Sequence, residues 1–264
     1  MTPASPQRPI GPPVDPHPAK RPERITMEGR WVTLTPLDAE AHANDLFEGS
    51  SGDATRDAVW DYLFDPPGRD FESFRSDIAK KAASEDPLYF AILDNVTGRA
   101  VGYQTLMRID LANRVIEVGN ILYTPAMQRT AGATEAQYLF AGYVFDELGN
   151  RRYEWKCNAL NAPSRRAAER FGFAFEGIFR QHMIVKGRNR DTAWFSMLDH
   201  EWPARKAAYE RWLDPANFDT QGRQKTSLSS HLPKAPHDPD RRRKAPPLRR
   251  ASSSARVLRD AEPL

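Results

Sequence analysis

The sequence predicts a mixed α+β domain in which an antiparallel strand meander forms the core of the sheet. Two hydrophobic patterns carry this prediction: short apolar runs with strand spacing, and longer stretches whose apolar side chains recur every three or four positions. Three of the apolar runs follow one another closely enough to pair as hairpins, and helical stretches precede and follow them. The 264 residues suffice for one such domain with a tail at each end.

The first half of the domain has the patterns of a strand, two helices and the meander. Alternation over Arg30–Thr35 predicts the first strand, and Thr35-Pro36 predicts the N-cap and first turn of a helix that runs through Phe47. A second helix is predicted from apolar residues at helical spacing, namely Phe71, Phe74, Ile78 and Ala82. The meander strands are predicted at Leu88–Leu93, Ala100–Ile109 and Val115–Tyr123.

The second half alternates helices with strands. The polar, small-residue stretch Met127–Thr134 opens a long helix, and Gly149-Asn150 are typical of its end. A strand over Arg152–Cys157 and a short helix over Asn161–Arg170 follow. The last two strands are predicted around Phe179–Val185 and Ala193–Leu198.

Composition sets the expected domain bounds. Of 22 prolines, eight lie in residues 1–24 and six lie after residue 224, so we expect a disordered Pro-rich tail at 1–24, a domain at 25–221 and a disordered basic tail at 222–264. The overall net charge is +3, but residues 222–264 carry eleven Lys/Arg against four Asp/Glu, a net +7. Residues 1–24 carry +2, which leaves −6 on the domain.

This charge distribution bears on the partners. An acidic domain favours cationic substrates and gives no support to a nucleic-acid-binding surface on the fold itself. The basic run at residues 241–244 would suit a weak contact with RNA or a ribosome. A solvated, solubilising tail is the simpler interpretation, because no aromatic residue interleaves the charges.

The expected compartment is the cytoplasm. The one cysteine, Cys157, excludes an intrachain disulfide, which fits a reducing compartment, and it is more simply a core filler than a catalytic thiol. The amino end lacks the apolar stretch of a secretory signal, and no window approaches the ~20 apolar residues that span a bilayer. We assign no metal site and expect no membrane contact. The sequence leaves open whether the protein is a monomer or a homodimer.

Two segments carry the chemistry. At Gln128–Ala136 a loop of small residues leads into a helix, and such a helix start presents main-chain N–H groups that suit a pyrophosphate. An ordinary first helical turn is the alternative. In the second segment, Asn161 and Ser164 are good N-cap residues and Pro163 suits a first turn, so capping alone would also explain them.

Taken together, these segments resemble the GNAT (Gcn5-related) N-acetyltransferases, and within them the RimJ/RimL type that acetylates ribosomal-protein N-termini. The resemblance covers about residues 28–202. Its motifs are Glu117-Val118-Gly119, Gln128-x-x-Ala131-x-Ala133-Thr134-Glu135-Ala136, Lys156-Cys157-x-x-x-Asn161-x-x-Ser164 and Gly172-Phe173-x-x-Glu176-Gly177. It implies the GNAT acyl-CoA N-acyltransferase fold, a twisted, mostly antiparallel central sheet with flanking helices that is splayed at the cofactor strand. It also implies acetyl-CoA as co-substrate.

The resemblance assigns residues to the cofactor. The pyrophosphate loop would consist of Gln128, Arg129, Thr130, Ala131, Gly132, Ala133 and Thr134. Main-chain groups of Ile121, Leu122 and Tyr123 would pair with the pantetheine arm in the splayed strand. Asn161 would contact the same arm, and Ser164 would protonate the departing thiolate. The first loop glycine of the family is Ala131 here, with Gly132 one place later, so an alanine methyl would lie beside the phosphates.

Acetyl transfer also requires an uncharged amine. An α-amino group has a pKa of about 7.7–8.0, against about 10.4 for a lysine side chain, so a carboxylate acting through water suffices to deprotonate it. Glu117, in an apolar strand, is the candidate base; the alternative is a surface-facing residue. Candidates for the acceptor slot are Trp60, Tyr62, Phe64 and His182. Core packing for the three aromatic residues and an ordinary strand position for His182 are the alternatives.

We therefore expect an acetyl-CoA-dependent N-acetyltransferase that acts on a primary amine, with a protein or peptide N-terminal α-amine as the first choice. A small-amine acetyltransferase acting on a polyamine, an amino acid or an antibiotic is the alternative among enzymes. A non-catalytic acyl-CoA-binding or ribosome-associated module is the alternative from another class, and Ala131 in the loop leaves it open.

Overall fold

A computed structural model describes residues 10–233, and its centre is one eight-stranded sheet. The strands are β1 (Met27–Glu28), β2 (Val32–Pro36), β3 (Leu88–Asp94), β4 (Ala100–Asp110), β5 (Val115–Tyr123), β6 (Arg152–Asn158), β7 (Ala174–Val185) and β8 (Arg188–Leu198). Their spatial order is β1-β2-β3-β4-β5-β6-β8-β7. The β5–β6 pair is parallel and the other neighbours are antiparallel, which confirms the expected mixed α+β class.

Helices cover both faces of the sheet. They are α1 (Ala39–Ser50), α2 (Ala54–Asp57), α3 (Phe71–Ala82), α4 (Ala131–Gly142), α5 (Ala162–Arg170), α6 (Trp202–Leu213) and α7 (Leu228–His231). Leu46 of α1 and Phe74 of α3 share one core with inward residues of β3 and β4. Phe140 of α4 and Tyr209 of α6 share the larger core on the other face. Neighbouring residues of β3 alternate between these two cores, as strand geometry requires.

The start of the first helix differs from the prediction. Thr35 and Pro36 do not cap a helix, because they continue the ladder of β2 with β3, opposite Ala91 and Phe90. Asp38 is the N-cap instead, and its side chain accepts a hydrogen bond from the Ala41 N–H at 2.8 Å. The predicted start was therefore wrong by three residues, because sheet pairing outweighed the local preference of Thr-Pro for a helix start.

The other elements are close to their predictions. The helix at Phe71–Ala82 and the meander are confirmed, and so is the stop at Gly149, which has a left-handed φ of 73°. Before that stop, α4 continues as a π-helical turn over Tyr143–Glu147. Strands β7 and β8 begin five residues earlier than predicted. The missed start of β7 is mostly exposed and the missed start of β8 is polar, so neither has the apolar alternation of a half-buried strand. Helix α6 was not predicted.

The ordered chain extends beyond the expected amino-terminal bound. Ala19 is buried, and its N–H donates to the Leu111 carbonyl at 3.0 Å. The next residue, Lys20, donates its N–H to the Leu148 carbonyl at 2.9 Å. This segment docks mainly through its backbone, and composition carries no signal of such docking.

At the carboxyl end the ordered chain passes residue 221. Leu228 of α7 is fully buried, and the Trp212 Nε1–H donates to Gln224 Oε1 at 2.8 Å. The expected boundary at residue 222 therefore cuts through packed structure. Residues 1–9 and 234–264, including the basic run at 241–244, lie outside the described residues.

Strands β5 and β6 separate half-way along their length. They pair only from Val115–Val118 to Arg152–Trp155. Beyond this point β5 carries a bulge, because Thr105 pairs with Gly119 and Tyr103 with Leu122, which leaves one extra residue on β5. Asn120 in this bulge has a left-handed φ of 45°. The splay implied by the family resemblance is thus present, and it leaves the end of β5 without a neighbour on its β6 side among the described residues.

Candidate active site

A cavity of about 1110 Å³ opens where β5 and β6 diverge. The starts of α4 and α5 bound one end, and the segment around residues 55–64 with the β7–β8 hairpin bounds the other. Most of the predicted site residues line it, namely Tyr62, Phe64, Glu117, Ile121, Tyr123, Gln128, Arg129, Thr130, Ala131, Ala133, Thr134, Asn161, Ser164 and His182. Residues up to 120 positions apart in the sequence, Tyr62 and His182, therefore meet at one site.

Three predicted residues do not line the cavity. Trp60 is 2% exposed and packs in the core against Phe74, so the expectation that it walls the acceptor slot is wrong. Leu122 is fully buried in the core under α1 and α3. Gly132 faces β2, where a methyl group would lie 2.7 Å from Val32 Cγ1. Gly132 therefore allows close packing between α4 and the sheet.

The start of α4 offers unpaired main-chain donors. Thr130 is the N-cap, and its hydroxyl accepts a hydrogen bond from the Ala133 N–H at 3.2 Å. The N–H groups of Ala131 and Gly132 have no partner within residues 10–233. Gln128 supports the turn, because its Nε2 donates to the Tyr123 carbonyl at 3.0 Å. Free amides at a helix N-terminus favour an anion there.

Four arginines, Arg129, Arg166, Arg170 and Arg223, line the cavity together with Ala131 at the start of α4. Arg170 donates to Thr134 Oγ1 at 2.9 Å, and its guanidinium lies 5.1 Å from the centre of the Trp212 ring. This set of cations and amides fits the phosphates of a coenzyme A molecule. The methyl group of Ala131 packs against the hydrophobic core, which accommodates the departure from the family glycine.

At the start of α5, the Ser164 hydroxyl lies beside the Trp155 indole and the Cys157 thiol. The Asn161 side chain accepts a hydrogen bond from the Ser164 N–H at 3.1 Å, which confirms Asn161 as the N-cap. The Trp155 Nε1–H donates to Ser164 Oγ at 3.1 Å. Because Oγ accepts from the indole, its own proton remains available to a nearby acceptor. The contact of Asn161 with a cofactor arm stays a prediction.

Glu117 lies in a buried ion cluster. Its side chain is 5% exposed, so the alternative of a surface-facing residue is wrong. Lys156 Nζ lies 2.8 Å from Glu117 Oε2, and Arg108 Nη1 lies 2.9 Å from the same oxygen. Burial raises the pKa of the Glu117 carboxyl, and the two cations partly oppose this shift. Lys156 also pairs with Glu154, and its Nζ lies 3.9 Å from the centre of the Trp194 ring.

Two further titratable residues at the cavity are held by structural contacts. The Tyr123 hydroxyl donates to Gln104 Oε1 and accepts from Gln137 Nε2, each at 2.9 Å, and burial raises its pKa well above the ordinary value. Cys157 is 6% exposed, and burial raises the pKa of its thiol, which opposes formation of a thiolate. The prediction that Cys157 fills the core is confirmed.

At the end of the cavity bounded by residues 55–64 and the β7–β8 hairpin, which we call the acceptor end, Tyr62 and Phe64 are each 41% exposed and line the cavity. Nδ1 of His182 lies 2.9 Å from Thr192 Oγ1. The roles of these three side chains toward a substrate stay predictions, since their positions are compatible with them but no contact tests them.

Comparison with known proteins places this geometry in a family. The model of the acetyltransferase (GNAT) domain matches residues 32–174, more than half of the chain. The chain belongs to the GNAT acetyltransferase family. GNAT acetyltransferases take the acetyl group from acetyl-CoA, and the donors at the start of α4 fit that molecule.

Solved GNAT structures resemble this chain closely. A GCN5-related N-acetyltransferase from Brucella melitensis is 54% identical with a TM-score of 0.80, and the match covers 81% of this chain and 97% of that one. A probable acetyltransferase of the GNAT family from Chromobacterium violaceum is 39% identical with a TM-score of 0.69, over 76% of this chain and 100% of that one.

The curated relatives match over a shorter stretch. YdaF from Bacillus subtilis, named a candidate ribosomal N-acetyltransferase, is 30% identical over 109 residues, which is 41% of this chain and 59% of that protein. An uncharacterised N-acetyltransferase, p20, from Bacillus licheniformis is 30% identical over 113 residues, or 63% of its length. The matches therefore span about three fifths of these relatives.

The GNAT site contains charged residues that sequence reasoning missed, namely Arg108, Arg166, Arg170 and Arg190. Arg166 and Arg170 follow the Asn161 motif on α5 at helical spacing, and this spacing was the available signal. Arg108 and Arg190 lie in strands whose pairing alone brings them to the cavity. Lys156 was part of a motif, but the sequence gives no sign of its contact with Glu117.

Residues 10–233 contain no helix long and apolar enough to cross a membrane. They also contain no group of three or more His, Cys, Asp or Glu side chains placed to hold a metal ion.

Proposed function

We propose that this chain is an acetyl-CoA-dependent N-acetyltransferase of the RimJ/RimL type, whose acceptor is the α-amine at a protein or peptide N-terminus. The observation that carries the proposal is that a buried carboxylate, Glu117, and a hydroxyl, Ser164, line the same cavity at the strand splay. Acetyl transfer needs a proton acceptor for the amine and a proton donor for the thiolate, and these two groups supply them.

In the proposed reaction, separate residues bind the coenzyme, accept the proton of the amine and donate a proton to the thiolate. Acetyl-CoA supplies the acetyl group as a thioester. The Ala131 and Gly132 amides and the nearby arginines would hold the diphosphate. Glu117 takes the proton that the amine loses, directly or through water, as the new N–C bond forms. Ser164 gives its proton to the sulfur as the C–S bond breaks, so that protons balance between amine and thiol.

The choice of an α-amine rests on proton chemistry and on one relative. A carboxylate suffices to deprotonate an amine whose pKa is about 7.7–8.0, whereas a lysine amine at about 10.4 requires a stronger base. The name of YdaF points to ribosomal N-acetylation. Both considerations favour a peptide N-terminus over a lysine side chain.

The test combines a binding measurement with a substrate panel. We expect isothermal titration calorimetry to detect acetyl-CoA binding, and thiol release to be fastest with peptides that have a free α-amine. Peptides with a blocked N-terminus and one internal lysine, and spermidine, serve as matched comparisons. Turnover of spermidine alone would assign the chain to small amines. Acetyl-CoA binding without turnover of any amine would assign a non-catalytic module, and no binding would overturn the proposal.

A further inference from the structure

Arg190 of β8 is a buried cation that has no polar partner among residues 10–233. It is 8% exposed and lines the acceptor end of the cavity. Its Nε is buried without a hydrogen-bond partner, and none of residues 10–233 forms an ion pair or hydrogen bond with its guanidinium. The guanidinium makes a cation–π contact with Phe64, because its carbon lies 5.3 Å from the centre of that ring.

This arrangement is costly unless an anion completes it. A guanidinium stays charged under physiological conditions, so Arg190 cannot lose its proton to escape desolvation as a buried lysine can. A cation–π contact satisfies none of its five N–H donors. Buried charges in proteins are normally paired, and an unpaired one at the wall of a cavity indicates a missing ligand group.

The neighbouring charges do not supply that anion. The Cys157 thiol lies near Arg190, but burial raises its pKa and so opposes formation of a thiolate. Glu117 is a carboxylate that acts on Arg190, but it is already paired with Lys156 and Arg108. The adjacent residue, Asp191, accepts hydrogen bonds from the Gln181 N–H and the Asn189 side chain instead. The positive charge of Arg190 thus remains uncompensated within the described part of the chain.

We infer that Arg190 binds a carboxylate of the acceptor, and hence that the substrate is an amine that also carries a carboxylate. The inference rests on the proposed acetyltransferase function, with the amine directed to Glu117 and the carboxylate to Arg190. A carboxylate has two coplanar oxygens that match one guanidinium fork, whereas the phosphate-type donors of this cavity lie at the start of α4. A polyamine lacks any group for Arg190.

The carboxylate has two possible sources, the α-carboxylate of a free amino acid or the side chain of an acidic residue at a peptide N-terminus. Two substrate pairs distinguish them. The first pair is L-alanine and L-alaninamide. The second is the C-terminally amidated tripeptide Asp-Ala-Ala and its Asn-Ala-Ala counterpart. In each pair, a carboxylate of one member is replaced by a neutral amide in the other, and kcat/KM is compared per unprotonated amine because the neighbouring carboxylate also raises the pKa of the amine.

The experiment measures kcat/KM for all four amines with the wild-type protein, Arg190→Met, Arg190→Lys and Arg188→Met. We expect the wild-type protein to prefer the carboxylate member of at least one pair by about 30-fold or more, as for a charge partner in a buried site. Arg190→Met should abolish that preference, mainly through KM of the carboxylate member. Arg190→Lys should retain part of it. Arg188, an exposed arginine on the same strand, is the control and should retain all of it.

The pair that shows the preference identifies the source of the carboxylate. Turnover of both members at equal rates by the wild-type protein would overturn the inference and leave the proposed acetyltransferase function intact. A preference that survives Arg190→Met in protein with a wild-type circular dichroism spectrum would also overturn it. Absence of turnover with every amine would overturn both.

Discussion

Burial and two neighbouring cations act in opposite directions on the pKa of the Glu117 carboxyl. The carboxyl is removed from water, which raises its pKa, while Lys156 and Arg108 contact one of its oxygens and Glu154 lies beyond Lys156. A carboxylate with a raised pKa is a stronger base than an exposed one. The cluster therefore suits a base for an amine that is mostly protonated near neutral pH.

Replacing Glu117 tests this role through the pH dependence of the rate. We expect Glu117→Gln to lower kcat/KM by about 100-fold on the acid side of the acceptor's pKa. The loss should shrink at higher pH, where the amine is already deprotonated. In the wild-type protein the rate should fall as pH drops through the raised pKa of Glu117, and the variant should lack this step. The pH profile of thiol release measures both.

The control for this prediction is Glu72→Gln, an exposed glutamate on α3, which should leave the profile unchanged. A loss of equal size at every pH in the Glu117 variant would instead indicate a structural role within the ion cluster.

Ser164 can be separated from cofactor binding. We expect Ser164→Ala to lower kcat about tenfold, since a leaving thiolate with a pKa near 8.5 needs only modest help from a proton donor. The Kd for acetyl-CoA should change little, because the Asn161 cap binds the main chain of residue 164 and not its hydroxyl. Rapid thiol-release kinetics and calorimetry provide the two values. Ser76→Ala, at an exposed site on α3, is the control, and an unchanged kcat would remove Ser164 from the mechanism.

At the scale of elements, the resemblance motif on α4 serves packing as well as binding. The buried Glu135 carboxylate accepts three main-chain hydrogen bonds, from Arg30 at 2.8 Å, Trp31 at 2.6 Å and Val32 at 3.0 Å. Gly132, one turn earlier, lets the helix approach Val32. Together they fix the start of α4 against β2, and so they determine where its free amides point.

A double-mutant cycle tests this helix-to-strand contact. We expect Gly132→Ala to destabilise the protein by about 1–3 kcal/mol, because the new methyl group would overlap Val32 Cγ1. Combining it with Val32→Ala should cost less than the sum of the single changes, as measured by urea unfolding. Gly142→Ala in the same helix meets no atom closer than 3.9 Å and should stabilise by up to about 1 kcal/mol. Additive costs at positions 132 and 32 would contradict the contact.

The sequence predicted elements better than it predicted contacts. Local periodicity identified α3 and the meander, because apolar spacing alone specifies them. It misplaced the start of α1, where pairing with β3 decided the outcome, and it missed α6, whose apolar side chains are divided among several partners. The site shows the same difference between local sequence signals and contacts made through the fold. Motif residues such as Ser164 line the cavity, whereas Arg190 reaches it through strand register, which a single sequence does not reveal.

At the scale of the whole molecule, the last described segment, up to residue 233, completes the core. Leu228 is fully buried although it lies in a helix of four residues, and Phe218 packs against Trp31 and Trp212. Residues Phe218, Arg223 and Gln224 also line the cavity. The family match ends at residue 174, so this segment adds to the site from outside the matched region.

Truncating Leu228 measures that contribution. We expect Leu228→Ala to cost roughly 2–5 kcal/mol in the free energy of unfolding, the range for a buried leucine. Val96→Ala, at a 91% exposed site in a turn, should change it by less than about 0.5 kcal/mol. Urea unfolding compares the two variants. A cost for Leu228→Ala no larger than that of the control would show that α7 is not coupled to the core.

The one-sided pairing of β5 has a consequence for amide hydrogen exchange. Strand β5 is held on both sides over Val115–Val118, but over Gly119–Tyr123 it is held by β4 alone. Mass spectrometry of the free protein in deuterated water should therefore find faster exchange in the second stretch, at the amides that face away from β4. Added acetyl-CoA should slow them, and equal rates in both stretches would contradict this. Exchange at the unpaired amides of β5 would then show whether acetyl-CoA is bound.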